Sequence, residues 1–150
     1  MTENVTSYWN QFVKKSGIEN ATYDAWAFGD NKQDADKLAD LVVTGVKTAT
    51  TSAYELYEPD EPIPQVGDYN IILNWEGQPV CITRTEVVEI LPFKWVSWEH
   101  AYHEGEGDKS LWYWRQVHEA FFKREYAQNN GTFSYNIPCV CEVFKVVDRP

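Results

Sequence analysis

The chain has 150 residues, of which 43% are hydrophobic and 24% charged, and this composition fits one globular domain rather than a disordered or repeat-containing chain. Lysine and arginine number 13 against 23 acidic residues, and the formal net charge of −10 excludes a uniformly basic nucleic-acid-binding surface. The first residues carry neither the basic start nor the apolar core of a signal peptide, and no apolar run of about 18 residues suggests a membrane span. We therefore expect a cytoplasmic protein with reduced cysteines and no membrane partner.

The N-terminal third predicts two helices. Apolar residues recur with helical spacing over residues 5–16 and again over 33–44, where Gly45 provides an end signal. Residues 20–30 lie between these helices and are interpreted as a loop. The sequence thus predicts an N-terminal helical extension over about residues 1–44.

The rest of the chain mixes strands with helices. The predicted strands cover residues 47–52, 69–75, 79–90 and 137–147, and the predicted helices cover residues 97–103 and 109–126. Asp108 is predicted to cap the second of these helices. Because the elements do not alternate as βαβ units, they favour an α+β fold, a curved mixed sheet or barrel with flanking helices, in one domain of residues 1–150.

Lys47 is the first residue that could carry chemistry. It follows a helix-ending glycine at the entry to a predicted strand, from which its side chain could point into a cleft. The glycine-rich run of a phosphate-binding loop is missing before it. The alternative is a solvated lysine at the end of a strand.

A second candidate is the segment of acidic residues and glycines that follows the helix predicted over 97–103. Gly105 and Gly107 alternate there with Glu104, Glu106 and Asp108. Glycine lets the backbone approach a ligand closely, and a carboxylate beside a helix end can act as a general acid or base. The alternative is an acidic segment that only caps the next helix, and this explains Asp108 better than it explains Glu104.

A third candidate is one face of the helix predicted over 109–126. This face carries Leu111, Arg115, His118 and Phe122. The apolar members indicate that the face is buried, so Arg115 needs an anion, either a ligand or a structural partner such as Glu104 or Glu106. His118 is either a hydrogen-bonded core residue or a ligand contact.

Arg84 is the one basic residue of the strand predicted over 79–90, where it either lines a cleft or lies at its rim. A zinc site is another possibility. Its four ligands would be His100, His103, Cys139 and Cys141. Their spacing matches no recognised zinc motif, and we expect neither a metal nor a cofactor.

Six segments occur in an order that is typical of one family. They are Ala25-Trp-Ala-Phe-Gly-Asp30, Gly45-Val-Lys-Thr-Ala-Thr-Thr51, Pro64-Gln-Val-Gly-Asp68, Ala101-Tyr-His-Glu-Gly-Glu-Gly-Asp108, Ser110-Leu-Trp-Tyr-Trp-Arg115 and His118-Glu-Ala-Phe-Phe122. Together they resemble the ASCH family, the activating-signal-cointegrator homology domains, in its longer bacterial type. The resemblance implies a PUA-like β-barrel with a cleft over one face that binds RNA, a nucleotide or a nucleoside.

The resemblance also implies site residues. A small bacterial relative removes the acetyl group from 4-acetylcytidine with a lysine, a threonine and a glutamate, which correspond to Lys47, Thr50 and Glu104. Lys47 would then act as the base, Thr50 as the nucleophile and Glu104 as the proton donor. On a regular strand Lys47 and Thr50 point to opposite faces, so this assignment needs a bend.

The sequence leaves several alternatives open. Arg84, Glu106, Arg115 and His118 are the predicted ligand contacts. The chain is an amide hydrolase, a ribonuclease or a binding module without chemistry, and its partner is a small nucleoside, a nucleotide or RNA. A net charge of −10 favours a small ligand over a long RNA track. The oligomeric state is open, a dimer being one option.

Overall fold

The computed structural model of the protein describes residues 2–150. Its helices are α1 (Thr2–Ser16), α2 (Lys32–Val43), α3 (Trp98–Glu104) and α4 (Leu111–Gln128). Its strands are β1 (Tyr23–Ala27), β2 (Ala49–Ala53), β3 (Tyr69–Leu73), β4 (Pro79–Pro92) and β5 (Pro138–Asp148). Short 3₁₀ turns follow β2 at Tyr54–Leu56 and β4 at Phe93–Trp95. In this part of the chain no helix combines the length and apolarity that crossing a membrane requires.

The chain divides into two compact units. Unit 1 comprises the residues up to Lys47, together with Val66–Glu86 and Phe144–Pro150. Unit 2 comprises Thr48–Gln65 and Val87–Val143. The single domain predicted over residues 1–150 stays a prediction.

The strands form one mixed sheet in the order β1-β3-β4-β5-β2. β1 runs parallel to β3, whereas the β3–β4 and β2–β5 pairs are antiparallel. Thr50 lies opposite Glu142 and Thr51 opposite Cys141, and because side chains alternate along a strand, the two threonines point to opposite faces. The predicted α+β fold with a mixed sheet and flanking helices is confirmed.

Unit 1 buries its apolar side chains in two clusters. In the first, Tyr8, Trp9 and Phe12 of α1 pack against Ile71 and Ile82 of the sheet. In the second, the apolar stripe of α2 packs around Phe28, Ile72, Cys81 and Phe144. The helical spacing that predicts α1 and α2 is therefore the spacing of their buried faces.

Unit 2 has one core, built by α4 against β2 and β5. Trp114, Phe122 and Tyr126 of α4 are buried in it. They pack with Phe93, which is fully buried and stacks on Trp114, and with sheet residues that include Cys139. This confirms the prediction that the long helix packs on the sheet.

The loop predicted over residues 20–30 is wrong, because Tyr23–Ala27 forms the edge strand β1. Its residues do not alternate cleanly between buried and exposed, so the periodicity of a strand is missing from the sequence. The parallel partner β3 lies about 45 residues further along the chain, and only that long-range pairing satisfies the backbone of β1. The N-terminal extension about 1–44 is consequently two helices around a strand.

The predicted cap of the long helix is also wrong. Ser110, not Asp108, is the N-cap, and its side chain accepts a hydrogen bond from the backbone N–H of Tyr113. The Asp108 carboxylate instead accepts from the backbone N–H of Ser110. Lys109, between them, adopts a left-handed backbone with φ of 65°, so the helix begins at Leu111.

Candidate functional site

Glu104 is a buried acidic side chain of unit 2. It is the last residue of α3 and only 1% exposed. Gly105 ends the helix with φ of 72°, a conformation that glycine adopts without strain. Ala101, three residues earlier on the same face of α3, is buried as well. The short helix thus directs the carboxylate into the unit rather than into solvent.

Two strong hydrogen bonds hold one oxygen of this carboxylate. The Thr51 hydroxyl and the Trp114 indole N–H each donate to Glu104 Oε2 at 2.6 Å. Thr51 comes from the buried face of β2 and Trp114 from the first turn of α4. Hydrogen bonds to a charged acceptor are stronger than neutral ones, so these two donors fix the position of the Glu104 carboxylate.

His100 reaches the same oxygen from one turn earlier in α3. Its Nε2 lies 2.9 Å from Thr51 Oγ1 and 3.4 Å from Glu104 Oε2. The Thr51 hydroxyl has one proton, which it donates to Glu104, so it accepts a hydrogen bond from His100. This geometry assigns a proton to Nε2 of His100.

His118 faces the other carboxylate oxygen. Its Nδ1 donates to the backbone carbonyl of Trp114 at 2.9 Å, and its Nε2 lies 3.5 Å from Glu104 Oε1. The imidazole stacks on the Trp114 ring with a centroid distance of 4.2 Å. Burial by itself lowers the pKa of His118, but the charge of Glu104 and a hydrogen bond to it, with the charge of Glu106, raise this pKa above its usual value.

These contacts define a cluster, the Glu104 cluster, made of Glu104, Thr51, His100, Trp114 and His118. It joins a buried carboxylate to a hydroxyl and to two imidazoles, of which one is biased toward its protonated form. Groups of this kind can store a proton and pass it on near neutral pH. The cluster can therefore serve as a general acid or base.

Glu106 lies beside the cluster, in the loop between α3 and α4. Oxygens of Glu104 and Glu106 and a ring nitrogen of His118 all lie within 4.8 Å of one another, so these residues could share a divalent cation. Gly107, the next residue, keeps the loop close to α4, because a Cβ there would come within 2.5 Å of the Tyr113 ring. This loop geometry holds Glu106 near His118.

The zinc ligands that the sequence suggested have other neighbours. Cys139 and Cys141 are buried, and burial raises the pKa of each thiol to about 12. Zinc binds the thiolate rather than the thiol. His100 belongs to the Glu104 cluster, and the His103 ring lies 3.5 Å from the Thr48 hydroxyl. Among the described residues, the side chains close enough to share a metal ion are those of Glu104, Glu106 and His118, and not the two histidines and two cysteines that the sequence suggested.

Arg115 has a different partner from the carboxylates that the sequence suggested. Its guanidinium donates to the backbone carbonyls of Phe93, Lys94 and Val96 at 3.0–3.2 Å. It also lies over the Phe93 ring. The expectation of a salt bridge with Glu104 or Glu106 is therefore wrong, because α4 directs Arg115 onto the 3₁₀ turn after β4. A ligand contact by Arg115 stays a prediction.

The other predicted site residues are placed as follows. Lys47 is 1% exposed, with its ammonium 5.4 Å from the Phe28 ring centroid, and belongs to unit 1. Arg84 is also in unit 1, where it is half-exposed and lies 3.9 Å from a Glu86 oxygen. Thr50 is in unit 2 on the face of β2 opposite Thr51. The predicted roles of Lys47, Arg84 and Thr50 stay predictions.

Three members of the Glu104 cluster were not assigned to it from the sequence. The resemblance points to the neighbouring Thr50, Trp114 enters within a motif, and His100 enters as a possible zinc ligand. The spacing of His100 and Glu104, four residues apart on one helix, is a signal that predicts their contact. Whether the side chains of Thr51 and Trp114 point toward Glu104 depends on how β2 and α4 pack.

Comparisons with known proteins place this fold in a family. A model of the ASCH domain matches residues 24–148. The crystal structure of an Enterococcus faecalis protein of the family DUF984 is 39% identical and aligns with a TM-score of 0.91 over 100% of this chain and 96% of that chain. An ASCH domain from Lactobacillus crispatus is 32% identical, with a TM-score of 0.90 over 98% of this chain and 96% of that chain.

No curated protein matches the sequence significantly. The family match covers most of the chain, and the two solved structures resemble it over nearly their whole length. The resemblance noted from the motifs is confirmed, and the chain belongs to the ASCH domain family, whose fold supports RNA binding.

Proposed function

We propose that this protein recognises a modified nucleoside, free or within RNA, and hydrolyses an amide bond on its base, as in removal of the acetyl group from 4-acetylcytidine. The observation that carries the proposal is the Glu104 cluster. A carboxylate that is 1% exposed and held by a hydroxyl, an indole and two imidazoles is a costly arrangement for a surface-binding domain. Proton transfer is a function that explains why a carboxylate is buried here at this energetic cost.

The chemistry assigns each group a task. A water molecule gives one proton to the Glu104 carboxylate as its oxygen attacks the acetyl carbonyl carbon. The C–N bond then breaks, the exocyclic amine of the base takes that proton back from Glu104, and acetic acid leaves and ionises to acetate. With a threonine nucleophile the acetyl group first forms an ester on that threonine, which a water molecule then hydrolyses. Glu104 is thus the base and then the acid, and His118, with its raised pKa, faces the other carboxylate oxygen and stabilises the negative charge of Glu104 before and after the transfer. Thr51 and Trp114 hold the carboxylate in place through both transfers.

The nucleophile is a separate part of the proposal. The family resemblance assigns it to Thr50, activated by Lys47. The packing of β2 favours a water molecule or the Thr51 hydroxyl instead, because Thr51 is the threonine that contacts both His100 and Glu104. The two assignments differ in which of two neighbouring threonines is needed.

A second candidate function is a binding module without chemistry. One observation favours it: Thr51 and Glu104 are both buried, so a substrate reaches them only if the unit opens. In that case the cluster stabilises the fold around a ligand site, and the protein binds the nucleoside without changing it.

The deciding experiment incubates the protein with 4-acetylcytidine, with acetylated RNA and with unmodified RNA, and identifies products by mass. We expect loss of the acetyl group in wild type and a fall of about 10²–10⁴-fold in Glu104→Gln. Asp148→Asn, which changes a buried carboxylate of unit 1, is the matched control and should keep full activity. Binding without product would select the binding module, and shortened RNA would select a ribonuclease.

A further inference from the structure

Three side chains of unit 2 bring metal-binding atoms together. Oxygens of Glu104 and Glu106 and a ring nitrogen of His118 lie within 4.8 Å of one another, and Glu104 is buried while the other two are half-buried. Two ligands that each lie about 2.1 Å from one metal ion in a tetrahedral site are about 3.4 Å apart. His118 Nε2 and Glu104 Oε1, at 3.5 Å, already have this spacing.

The hydrogen bonding of the His118 ring is an independent sign of a cation. Its Nδ1 lies 2.9 Å from the backbone carbonyl of Trp114, which can only accept, so a proton stays on Nδ1. The lone pair of a neutral ring is then on Nε2, beside the carboxylate of Glu104. Because two electron pairs at this distance repel, a positive particle, either a proton or a metal ion, belongs between them. Histidines that bind metals have the same arrangement, since their other N–H donates to a carbonyl or a carboxylate.

The surroundings fix both carboxylates near this nitrogen. Glu104 Oε2 accepts hydrogen bonds of 2.6 Å from Thr51 and Trp114, and its other oxygen, Oε1, faces His118. Hydrogen bonds of this kind orient the ligands of metal sites. The loop from α3 to α4 places Glu106 beside the same two groups. The three ligands are thus held by contacts that do not involve a metal.

The donor set indicates the class of ion. One imidazole nitrogen with two carboxylate oxygens suits Zn²⁺, Co²⁺ or Mn²⁺, whereas Mg²⁺ and Ca²⁺ prefer oxygen alone. Two carboxylates balance the charge of a divalent ion. Unit 2 as a whole has five basic and twelve acidic side chains, and its net charge of −7 attracts cations. Three protein ligands leave a coordination position for water.

We propose that Glu104, Glu106 and His118 bind a divalent transition-metal ion such as Zn²⁺, and that the bound ion takes the Glu104 carboxylate out of proton transfer. Oε2 of this carboxylate already accepts two hydrogen bonds, and Oε1 coordinates the ion, so little basicity remains for a proton from water. The metal site is independent of the proposed function, whereas the inhibition rests on it. The competing occupant is a proton on His118 Nε2.

The first test measures metal binding by the full chain without any substrate. After a chelator has removed bound metal, Zn²⁺ is titrated in a calorimeter, and we expect one tightly bound ion per chain. Loss of a partner that only orients a ligand costs about 10–100-fold in metal affinity, so loss of the ligand itself in His118→Gln or Glu106→Gln should cost at least about 100-fold. His103→Gln and Glu99→Gln, exposed residues of α3, are the matched controls and should bind as wild type does.

Nitrogen NMR distinguishes a metal ion from a proton. Addition of Zn²⁺ should shift the signal of His118 Nε2, while Nδ1 keeps its proton. An unchanged Nε2 signal would overturn the inference, because a proton alone then occupies this position. Binding of equal strength in wild type, His118→Gln and Glu106→Gln would also overturn it, since the ion then lies elsewhere. Glu106 is in a loop, so Glu106→Gln decides the matter even if His118→Gln does not fold.

Inhibition is measured separately. Zn²⁺ should abolish the release of acetate from 4-acetylcytidine by wild type, a chelator should restore it, and the Zn²⁺ concentration that halves turnover should match the dissociation constant from calorimetry. Turnover that stays constant or rises as the site fills would overturn the inhibition. A protein that binds Zn²⁺ at these residues but deacetylates nothing, even when free of metal, would support the metal site and overturn both the inhibition and the proposed function.

Discussion

Asp148 in unit 1 and Glu104 in unit 2 are both buried carboxylates, but their surroundings differ. Asp148 accepts a hydrogen bond of 2.8 Å from the Tyr8 hydroxyl and forms an ion pair with Lys15, whose own side chain is mostly exposed. Within unit 2, Glu104 faces a hydroxyl, an indole and the imidazoles of His100 and His118. Asp148 thus has a lysine ammonium as its charged neighbour, whereas the neighbours of Glu104 include imidazoles, a type of group that can gain or lose a proton near neutral pH.

On the proposed function, this difference separates a structural carboxylate, Asp148, from one expected to take part in proton transfer, Glu104. A lysine ammonium keeps its charge throughout the physiological pH range, whereas an imidazole gains or loses a proton near neutrality. Burial, together with Asp148, raises the pKa of Tyr8 further from neutrality. The proton-active chemistry of this chain is therefore expected in unit 2.

The largest contrast is expected in stability when each carboxylate is removed. Glu104→Ala leaves the buried donors of Thr51 and Trp114 without an acceptor, and we expect a loss of about 3–5 kcal/mol in the free energy of unfolding. Asp148→Ala should cost less, about 1–3 kcal/mol, because water can solvate the freed Lys15. Urea denaturation of both variants measures the difference, and an equal or larger cost at Asp148 would break the comparison.

The neighbouring threonines of β2 give the next largest effect. Thr51→Val keeps the shape of the side chain and removes a hydrogen bond to Glu104, so turnover should fall by about 10- to 100-fold if water is the nucleophile. If the Thr51 hydroxyl is the nucleophile, turnover should be abolished. Thr51→Ser should recover most of it. Thr50→Val is the matched control on the opposite face and should be nearly neutral.

The same pair of variants tests the assignment drawn from the family resemblance. If Thr50 were the nucleophile, Thr50→Val would abolish turnover while Thr51→Val had the smaller effect. Rates measured on 4-acetylcytidine distinguish the two results. If the protein binds the nucleoside without hydrolysing it, the affinity of each variant for 4-acetylcytidine is measured instead.

A smaller effect is expected at the structural carboxylate. Tyr8→Phe removes one hydroxyl from Asp148 and leaves the ion pair with Lys15, so stability should fall by about 1 kcal/mol. Turnover should stay at the wild-type level, because this contact lies in unit 1. A thermal melt and a rate measurement on the same preparation of Tyr8→Phe test the expected stability and the expected turnover. A variant that kept full stability but lost turnover would contradict a purely structural role for Asp148.

The smallest effect is a dependence of stability on pH. Because the pKa of His118 is raised in the folded state, its contribution is fully present below its unfolded pKa of about 6.5 and is lost as pH rises through the folded pKa. The advantage of wild type over His118→Gln in free energy of unfolding should shrink as pH rises above about 6.5. An advantage that grew with pH would show that His118 is held neutral beside Glu104 and Glu106.

The fold could be predicted from the sequence where local periodicity reports the buried face. The stripes of α1, α2 and α4 and the alternation of β3, β4 and β5 led to elements that the structure confirms. β1 was missed because its partner is distant in sequence and its own pattern is irregular. Ser110 replaced Asp108 as the cap because Lys109 takes a left-handed turn that no periodicity reports.

Within the candidate site, the sequence by itself singled out Glu104, Glu106 and His118, because acidic residues between glycines and a histidine on an apolar stripe are unusual patterns. Only the tertiary structure decided that Thr51 rather than Thr50 contacts Glu104, and that Arg115 binds backbone carbonyls. The physical reason is that residue type and spacing determine which side chains are able to react, whereas strand register and helix rotation determine which of them meet. A shift of one residue on β2 reverses its two faces, and only packing against α3, α4 and β5 selects one of them.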